Sequence, residues 1–152
     1  MPETGALAFL SAPLLEGVNM AIADINAAGG VNGADVALTP GDSGTDPDIA
    51  NTTVDRLLTE DVDAIVGAAA SGITSSVIEK ITSAGITQCS PSNTMAGLGT
   101  AGDDGYYFRT APSDDLQAPA LANVVLGDGY TNIAIVSRAD DYGVGFNAEF
   151  EP

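Results

Sequence analysis

The chain has 152 residues, the size of one ordinary domain. It carries 21 acidic and four basic residues, and its net charge of −17 would repel nucleic acid and anionic lipid surfaces. It has one cysteine and no histidine, which excludes an internal disulfide, a multi-cysteine metal site and a Ser-His-Asp triad.

The first third of the chain predicts two helices separated by a strand. Apolar residues recur at helical spacing after Pro13 until the glycine pair at 29–30. Residues 34–40 alternate between apolar and polar as a strand does. A second helix is predicted to begin at Asp46, which is a favoured capping residue.

The same alternation continues to the end of the chain. Further strands are predicted at 63–68, 86–92, 106–113 and 131–141, and further helices at 74–85, 114–127 and 142–152. This order is typical of an α/β fold, here a three-layer α/β/α parallel sheet in which residues 1–152 form a single lobe. The sequence opens on a turn and a helix and stops inside a helix, so we expect a lobe that is incomplete at both ends.

Two motifs resemble known ligand sites but lack the required context. GLGTAG at 97–102 matches the dinucleotide fingerprint, yet neither a strand before it nor a helix on its last glycine is predicted, so we expect a mobile surface loop. Asp42, Asp46 and Asp48 lack the ligand spacing of a calcium loop. They fit a strand end, a turn and a helix cap.

The run IVGAAASGITSSVIEKI at 65–81 passes from a buried strand to a helix through residues with almost no side chains. Ser71 and Gly72 lie just before a helix predicted to start near Thr74. Unpaired N–H groups and the helix dipole favour an anion there, and a carboxylate fits. Alternatively, Ser71 is only a helix cap and the alanines are packing. Without histidine Ser71 has no obvious base, so the sequence predicts no enzyme.

Two more strand ends carry polar side chains. CSPSNT at 89–94 ends one strand with hydroxyls and an amide, and ADDYGVG at 139–145 ends another with Tyr142. In an open α/β sheet, ligands bind outside the carboxyl ends of the strands. The three segments therefore predict one pocket.

Together, the segments ADINAAGGVNG, VDAIVGAAASG, SPSNT, FRTAPSD and DDYGVG resemble the first lobe of the type I periplasmic solute-binding proteins. The similarity spans nearly the whole chain and is greatest to the Leu/Ile/Val receptors of ABC importers. It implies a receptor that closes on a small amino acid and delivers it to a membrane permease, without a cofactor or a metal. It also implies a periplasmic or an extracellular, membrane-tethered location, with the signal peptide absent from this sequence.

The resemblance assigns roles to individual residues. Ser71 would bind the ligand's α-carboxylate through its hydroxyl, helped by backbone N–H groups near Gly72. The Ser92 carbonyl and the Thr94 hydroxyl would hold the ammonium and the carboxylate, with Asn93 in the same loop. The family's second lobe, which supplies the acid usually paired with the ammonium, is missing from this sequence.

Two further residues are assigned to the edges of the site. Tyr142 would cover the ligand from the hinge side, and Leu10 would line the mouth at a position that is often aromatic in the family. The apolar strand that precedes the first helix in the family is also missing here.

Other functions stay open on the sequence alone. One is a receptor or sensor for short amides, urea or aromatic acids, because side-chain selectivity lies partly in the missing lobe. Another is a structural module that forms a homo-oligomer through an open sheet edge. A nucleotide-using or hydrolytic enzyme would need GLGTAG on a strand–helix turn, or a base near Ser71.

Overall fold

A computed structural model describes residues 1–150 of the chain. In chain order the elements are the 3-10 helix Ala8–Leu10, α1 (Ser11–Ala27), α2 (Pro47–Thr59), β1 (Ala64–Val66), α3 (Ser71–Ser83), β2 (Thr87–Ser90), the 3-10 helix Ala96–Thr100, β3 (Tyr107–Arg109), α4 (Asp114–Gly127) and α5 (Asp141–Phe150). Residues 151 and 152, which the predicted lobe and its last helix include, lie outside the described range.

The three strands form one parallel sheet in the order β1-β2-β3. Ala64 pairs with Thr87, and Gln88 pairs with Tyr107. Parallel strands need a crossover between them, and α3 makes the one from β1 to β2. The predicted α/β fold with a parallel sheet and flanking helices is confirmed.

The core lies between α2, α3 and the end of β1. The Asp46 side chain accepts hydrogen bonds from the backbone N–H groups of Asp48 (2.9 Å) and Ile49 (3.2 Å), which fixes the start of α2 as predicted. Apolar residues at helical spacing then place one face of α2 and one face of α3 toward the core. The buried cluster comprises Ala50, Val54, Ala68, Ile73, Val77 and Ile81.

Two predicted strands are absent from the described residues. Residues 34–40 form no strand, because the backbone groups of Val36 bond to the Asn26 side chain instead (N to Oδ1 2.7 Å, Nδ2 to O 3.0 Å). Residues 131–138 also lack regular structure, and Asp141 already begins α5. A strand exists only through pairing with a neighbour, and within residues 1–150 neither segment pairs with the sheet.

Two local predictions also need correction. Helix α3 begins at Ser71 rather than near Thr74, so the capping position falls on Ala70, whose side chain offers no hydrogen bond. The expected mobile loop at 97–102 contains part of a 3-10 helix, which Leu98 anchors by packing beside Ile78. No strand–helix turn forms there, which removes the basis for a nucleotide site.

The outer helices are largely exposed. Helices α4 and α5 pack on each other, and α5 also meets α3. Ser11 is the one buried residue of helix α1, and Phe9, Met20 and Ile25 are exposed around it. Within residues 1–150, one helical stretch of 20 residues, Ala8–Ala27, is by length and composition apolar enough to cross a membrane.

Candidate functional site

The end of β2 and the loop after it pack onto the small residues 68–70, which precede α3. Ser90 Oγ donates to the Ala68 carbonyl (2.7 Å), while Ser92 Oγ (2.8 Å) and Asn93 Nδ2 (2.9 Å) both donate to the Ala69 carbonyl. A buried carbonyl without a partner is costly, so these side chains stabilise the irregular segment. The small residues at 68–70 allow the loop to approach.

Ser71 is buried at the first position of α3, and its oxygen acts as an acceptor. Its Oγ accepts from the backbone N–H groups of Thr94 (3.3 Å) and Met95 (3.4 Å). A hydroxyl has two acceptor positions and one donor. Both acceptor positions are therefore used, and among residues 1–150 its proton has no recorded acceptor.

Thr94 has the opposite hydrogen-bond polarity. Its Oγ1 donates to Asp114 Oδ2 (3.0 Å), and the Asp114 N–H donates to the Thr94 carbonyl (2.8 Å). Because the Thr94 proton is used by Asp114, the remaining capacity of its hydroxyl is to accept. The neighbouring ends of β1 and β2 thus present a free donor at Ser71 and a free acceptor at Thr94.

Asp114 is fully buried at the first position of α4, and its Oδ1 has no hydrogen-bond partner in the described chain. Burial raises the pKa of this carboxyl, while the bond from Thr94 and the charge of Arg109 act to lower it. An unpartnered buried carboxylate oxygen fits a cationic or hydrogen-bond-donating group of a ligand.

Gly72 lies directly beneath the Asp141 carboxylate at the start of α5. A Cβ added to Gly72 would overlap Asp141 Oδ2 and lie 3.0 Å from its Cγ. A larger residue at this position would force the Asp141 side chain to move. The contact joins the first turn of α3, whose N–H groups favour negative charge, to the first residue of α5.

Asn93 and Ser92 support the loop through their side chains. Asn93 is fully buried, and its Oδ1 accepts from the Tyr107 hydroxyl (3.0 Å). Burial raises the pKa of Tyr107 to about 12, so the phenol stays protonated as a donor. Both the nitrogen and the oxygen of the Asn93 amide are thus hydrogen-bonded, and the Ser92 hydroxyl donates to the Ala69 carbonyl. The Ser92 carbonyl, assigned to the ligand by resemblance, has no recorded donor within residues 1–150.

The site roles assigned to Tyr142 and Leu10 stay predictions. Tyr142 stacks obliquely on Phe146 (ring centroids 6.3 Å) and lines an apolar cavity of about 580 Å³ between α4, α5 and residues 133–138. Neither Ser71 nor Thr94 lines that cavity. Leu10 ends the first 3-10 helix.

The sequence did not indicate Asp114 or Asp141 as site residues. The sequence indicates Asp114 only as the first residue of the predicted helix 114–127, because its burial and its bond to Thr94 depend on tertiary packing. For Asp141 the available indication was Gly72, because a glycine in the first turn of a helix marks a close approach by another group. Within residues 1–150, no three His, Cys, Asp or Glu side chains form a metal-binding group.

Comparison with known proteins identifies several relatives. The chain is 36% identical over 133 residues to the chemotactic signal transduction system substrate-binding protein BasB of Halobacterium salinarum. This alignment covers 83% of this chain and 32% of BasB. It is 30% identical over 153 aligned residues to Leu/Ile/Val-binding protein homolog 1 of Brucella melitensis, covering 98% of this chain and 40% of that protein.

A solved structure extends this similarity to the fold. The chain superposes with a TM-score of 0.88 on the branched-chain amino acid transporter substrate-binding protein LivJ of Streptococcus pneumoniae, which was solved in complex with isoleucine. The two sequences are 32% identical, and the match covers 97% of this chain and 43% of LivJ. The chain therefore spans between 32% and 43% of the length of these relatives.

The family comparison covers almost the whole sequence. The chain matches the periplasmic binding protein family over residues 1–151. The relatives described above are all named as binding proteins and none as an enzyme. The chain belongs to the periplasmic binding protein family, whose members bind solutes outside the cytoplasm, and its relatives are of the type I, branched-chain amino acid class.

Proposed function

We propose that the protein binds a small neutral amino acid, with a branched apolar side chain, through its α-carboxylate and α-ammonium groups. The observation that carries the proposal is the opposite hydrogen-bond polarity of two hydroxyls at the neighbouring ends of β1 and β2. Ser71 has a free proton for a carboxylate, and Thr94 has free lone pairs for an ammonium.

The surroundings of each hydroxyl support the same orientation of the ligand. Near Ser71, the first N–H groups of α3 have no side-chain cap, which favours a carboxylate. Near Thr94, the buried Asp114 provides an unpartnered carboxylate oxygen, which favours an ammonium. The α-carboxylate would therefore bind toward Gly72 and the α-ammonium toward Asp114.

The whole protein's role follows from its relatives as an inference. LivJ is named as a transporter substrate-binding protein and is solved with isoleucine, which supports delivery of the amino acid to an ABC permease. That role requires the site to face the periplasm, or the outside of a cell to which the protein is tethered. The assignment of residues 1–152 to one ligand-binding lobe stays a prediction.

A sensory role is the second candidate. BasB, at 36% identity, is named as part of a chemotactic signal transduction system. The same amino-acid site would then present its ligand to a signalling receptor instead of a permease. The two roles share the binding chemistry and differ in the partner that recognises the ligand-bound protein.

Calorimetric titration of the purified protein with leucine, isoleucine, valine and acetamide tests the proposed function. We expect the three amino acids to bind and acetamide, which lacks both charged groups, not to bind. Ser71→Ala should weaken leucine binding by about tenfold or more, because one hydrogen bond to a charged group is lost. Ser83→Ala, at the other end of α3, is the matched control. Equal binding by both variants would contradict the assignment of Ser71.

A further inference from the structure

We propose that the sheet binds an extended apolar strand of another polypeptide in a vacant position between residues 36–41 and β1. The partner strand runs parallel to β1, is about six residues long to match residues 36–41, and is basic at its N-terminal end. The inference concerns contact with a second polypeptide and does not rest on the proposed amino-acid site.

Met1 shows where this position lies and how it pairs. Its amine donates to the Gly41 carbonyl (2.9 Å), and its carbonyl accepts from the Ser43 N–H (2.9 Å), which is the hydrogen-bond pattern of a parallel ladder. Gly67, which directly follows β1, is also close, because a Cβ added to it would lie 4.0 Å from the Met1 nitrogen. Met1 therefore bridges residues 41–43 and the end of β1 as one strand of a sheet would.

The segment before Gly41 forms the first wall of the position. In an extended chain, the backbone groups of successive residues point to alternate sides. Val36 bonds away from Met1, to a side chain of α1, whereas Gly41 faces Met1. This alternation directs Ala37 and Thr39 to the same side as Gly41, and within residues 1–150 their N–H and C=O groups form no hydrogen bond. The first wall thus offers free backbone donors and acceptors.

The strand β1 forms the second wall. Because the sheet order is β1-β2-β3, one edge of β1 is unpaired within residues 1–150. The Gly67 N–H donates to the Cys89 carbonyl in β2 (2.8 Å), so alternation turns the backbone of Val66 to the open edge. Val66 is 46% exposed, and Leu38 on the first wall is 44% exposed. A β-strand satisfies the unpaired groups of both walls, and the apolar side chains beside them favour an apolar one.

The two ends of the position determine the direction and the charge of the partner. Met1 closes the end beside Gly67, and its parallel pairing sets the direction of a strand that docks in the same position. At the opposite end, the exposed residues Asp35 and Asp63 precede the two walls. Their carboxylates, in a chain of net charge −17, attract a basic N-terminal end.

Hydrogen exchange followed by NMR tests this pairing, with the acetylated and amidated peptide KKVIVAV as the probe. We expect its binding to slow the exchange of the Ala37, Thr39 and Gly41 amides by about tenfold or more. Exchange of the Leu38 amide, which faces away, should stay unchanged. This alternation separates a strand ladder from unspecific apolar contact.

Two altered peptides test the chemistry of the partner on the unmodified protein. KKVPVAV should bind at least about tenfold more weakly, because proline cannot donate to a ladder. EEVIVAV should also bind about tenfold more weakly at low salt, because its N-terminal end is acidic. Equal binding of KKVIVAV and either altered peptide would contradict the inference.

A pair of protein variants tests the first wall. Thr39→Pro removes one of its N–H groups and should weaken the binding of KKVIVAV by about tenfold or more. Thr39→Val is the matched control, because it keeps the N–H group, and it should change the affinity by less than about threefold. Binding to Thr39→Pro as tight as to the unmodified protein would show that the peptide does not pair with this wall.

Three further results would overturn the inference. The first is slowed exchange at residues 131–138 in place of Ala37, Thr39 and Gly41. The second is slow exchange of those three amides in the free protein, since a second copy or the chain itself would then fill the position, and light scattering tells these two apart. The third is no binding of KKVIVAV at about 1 mM. Each of them leaves the leucine titration, and with it the proposed function, unaffected.

Discussion

Thr94 and Asp114 bind each other through both backbone and side chain. The Thr94 hydroxyl donates to Asp114 Oδ2 at 3.0 Å, and the Asp114 N–H donates to the Thr94 carbonyl at 2.8 Å. This reciprocal pair joins the loop after β2 to the first turn of α4. It also gives the Thr94 hydroxyl a fixed orientation, because its proton is held by a buried carboxylate.

Thr94→Val should weaken both the fold and ligand binding. Valine has a similar shape to threonine but leaves the buried Asp114 carboxylate without its donor, which should cost about 1–3 kcal/mol in the free energy of unfolding. Leucine affinity should fall by about tenfold or more, because the acceptor for the ammonium is lost. Urea denaturation and calorimetry measure the two effects separately.

Thr94→Ser is the matched control, since it keeps the hydroxyl. It should retain leucine binding and most of the stability. Normal leucine binding by a folded Thr94→Val variant would contradict the role assigned to the hydroxyl.

Gly72→Ala should destabilise the packing of α3 against α5. The new Cβ would overlap the Asp141 carboxylate and lie 3.1 Å from the Asp141 Cβ, so relief requires the Asp141 side chain to rotate and the start of α5 to shift slightly. We expect a loss of about 1–3 kcal/mol in the free energy of unfolding, typical of an overpacked contact. Urea denaturation measures it.

Gly72→Ala should lower the free energy of unfolding much less in a protein that also carries Asp141→Gly. In a double-mutant cycle of Gly72→Ala and Asp141→Gly, the interaction energy between the two changes should reach about 1 kcal/mol or more, because the two residues share one contact. Additive costs in this cycle would show that the Gly72–Asp141 contact is not the source of the destabilisation.

Asp42 should make the protein sensitive to acid. Burial acts to raise the pKa of this carboxyl, but hydrogen bonds from the Thr4 hydroxyl and from the N–H groups of Gly44, Thr4 and Glu3 lower it overall. A carboxyl whose pKa is lower in the folded state than in the unfolded state stabilises the fold above its unfolded pKa. That stabilisation is lost as the pH falls from about 3.8 through the folded pKa.

Asp42→Asn should therefore be less stable than the unmodified protein at neutral pH and lose less stability on acidification. Urea denaturation across the acid range measures this difference. Asp48→Asn is a control on the same segment, at an exposed position. Parallel stability curves for Asp42→Asn and the unmodified protein down to the acid limit would contradict the prediction.

Salt should stabilise the protein because its net charge is −17. Three of the four basic residues already form ion pairs, namely Arg56 with Glu60, Lys80 with Asp55 and Arg138 with Asp140. Most of the 21 acidic groups therefore have no basic partner, and their mutual repulsion opposes the compact state.

Raising the sodium chloride concentration from about 0.1 M to about 1 M shortens the screening length from about 10 Å to about 3 Å. The urea midpoint should rise over this interval. A midpoint that falls or stays constant would show that charge repulsion is not a significant destabilising term in this fold.

Local rules predicted the helices better than the strands. Asp46 caps α2 by hydrogen bonds within four residues, and α4 begins and ends where the sequence pattern indicates. The segments 34–40 and 131–138 have the alternation of strands, but strand formation requires a neighbouring strand that the pattern alone cannot supply.

The same contrast between local and distant information applies to the candidate site, of which the sequence predicted only a part. Ser71, Gly72 and Thr94 lie next to one another because parallel strands end at one edge of the sheet. The contributions of Asp114 and Asp141 depend on how α4 and α5 pack against α3 and its neighbouring loop. That information is distributed over distant parts of the chain and has no local sequence pattern.

The central claim is that the Ser71–Thr94 edge binds an α-amino acid, and a two-dimensional amide NMR titration with leucine tests it most directly. The account predicts saturable shifts of the Ser71, Gly72, Thr94 and Asp114 amides with leucine and none with acetamide, in a spectrum whose dispersion shows that the protein is folded. A well-dispersed spectrum in which these four amides do not respond to leucine would contradict it.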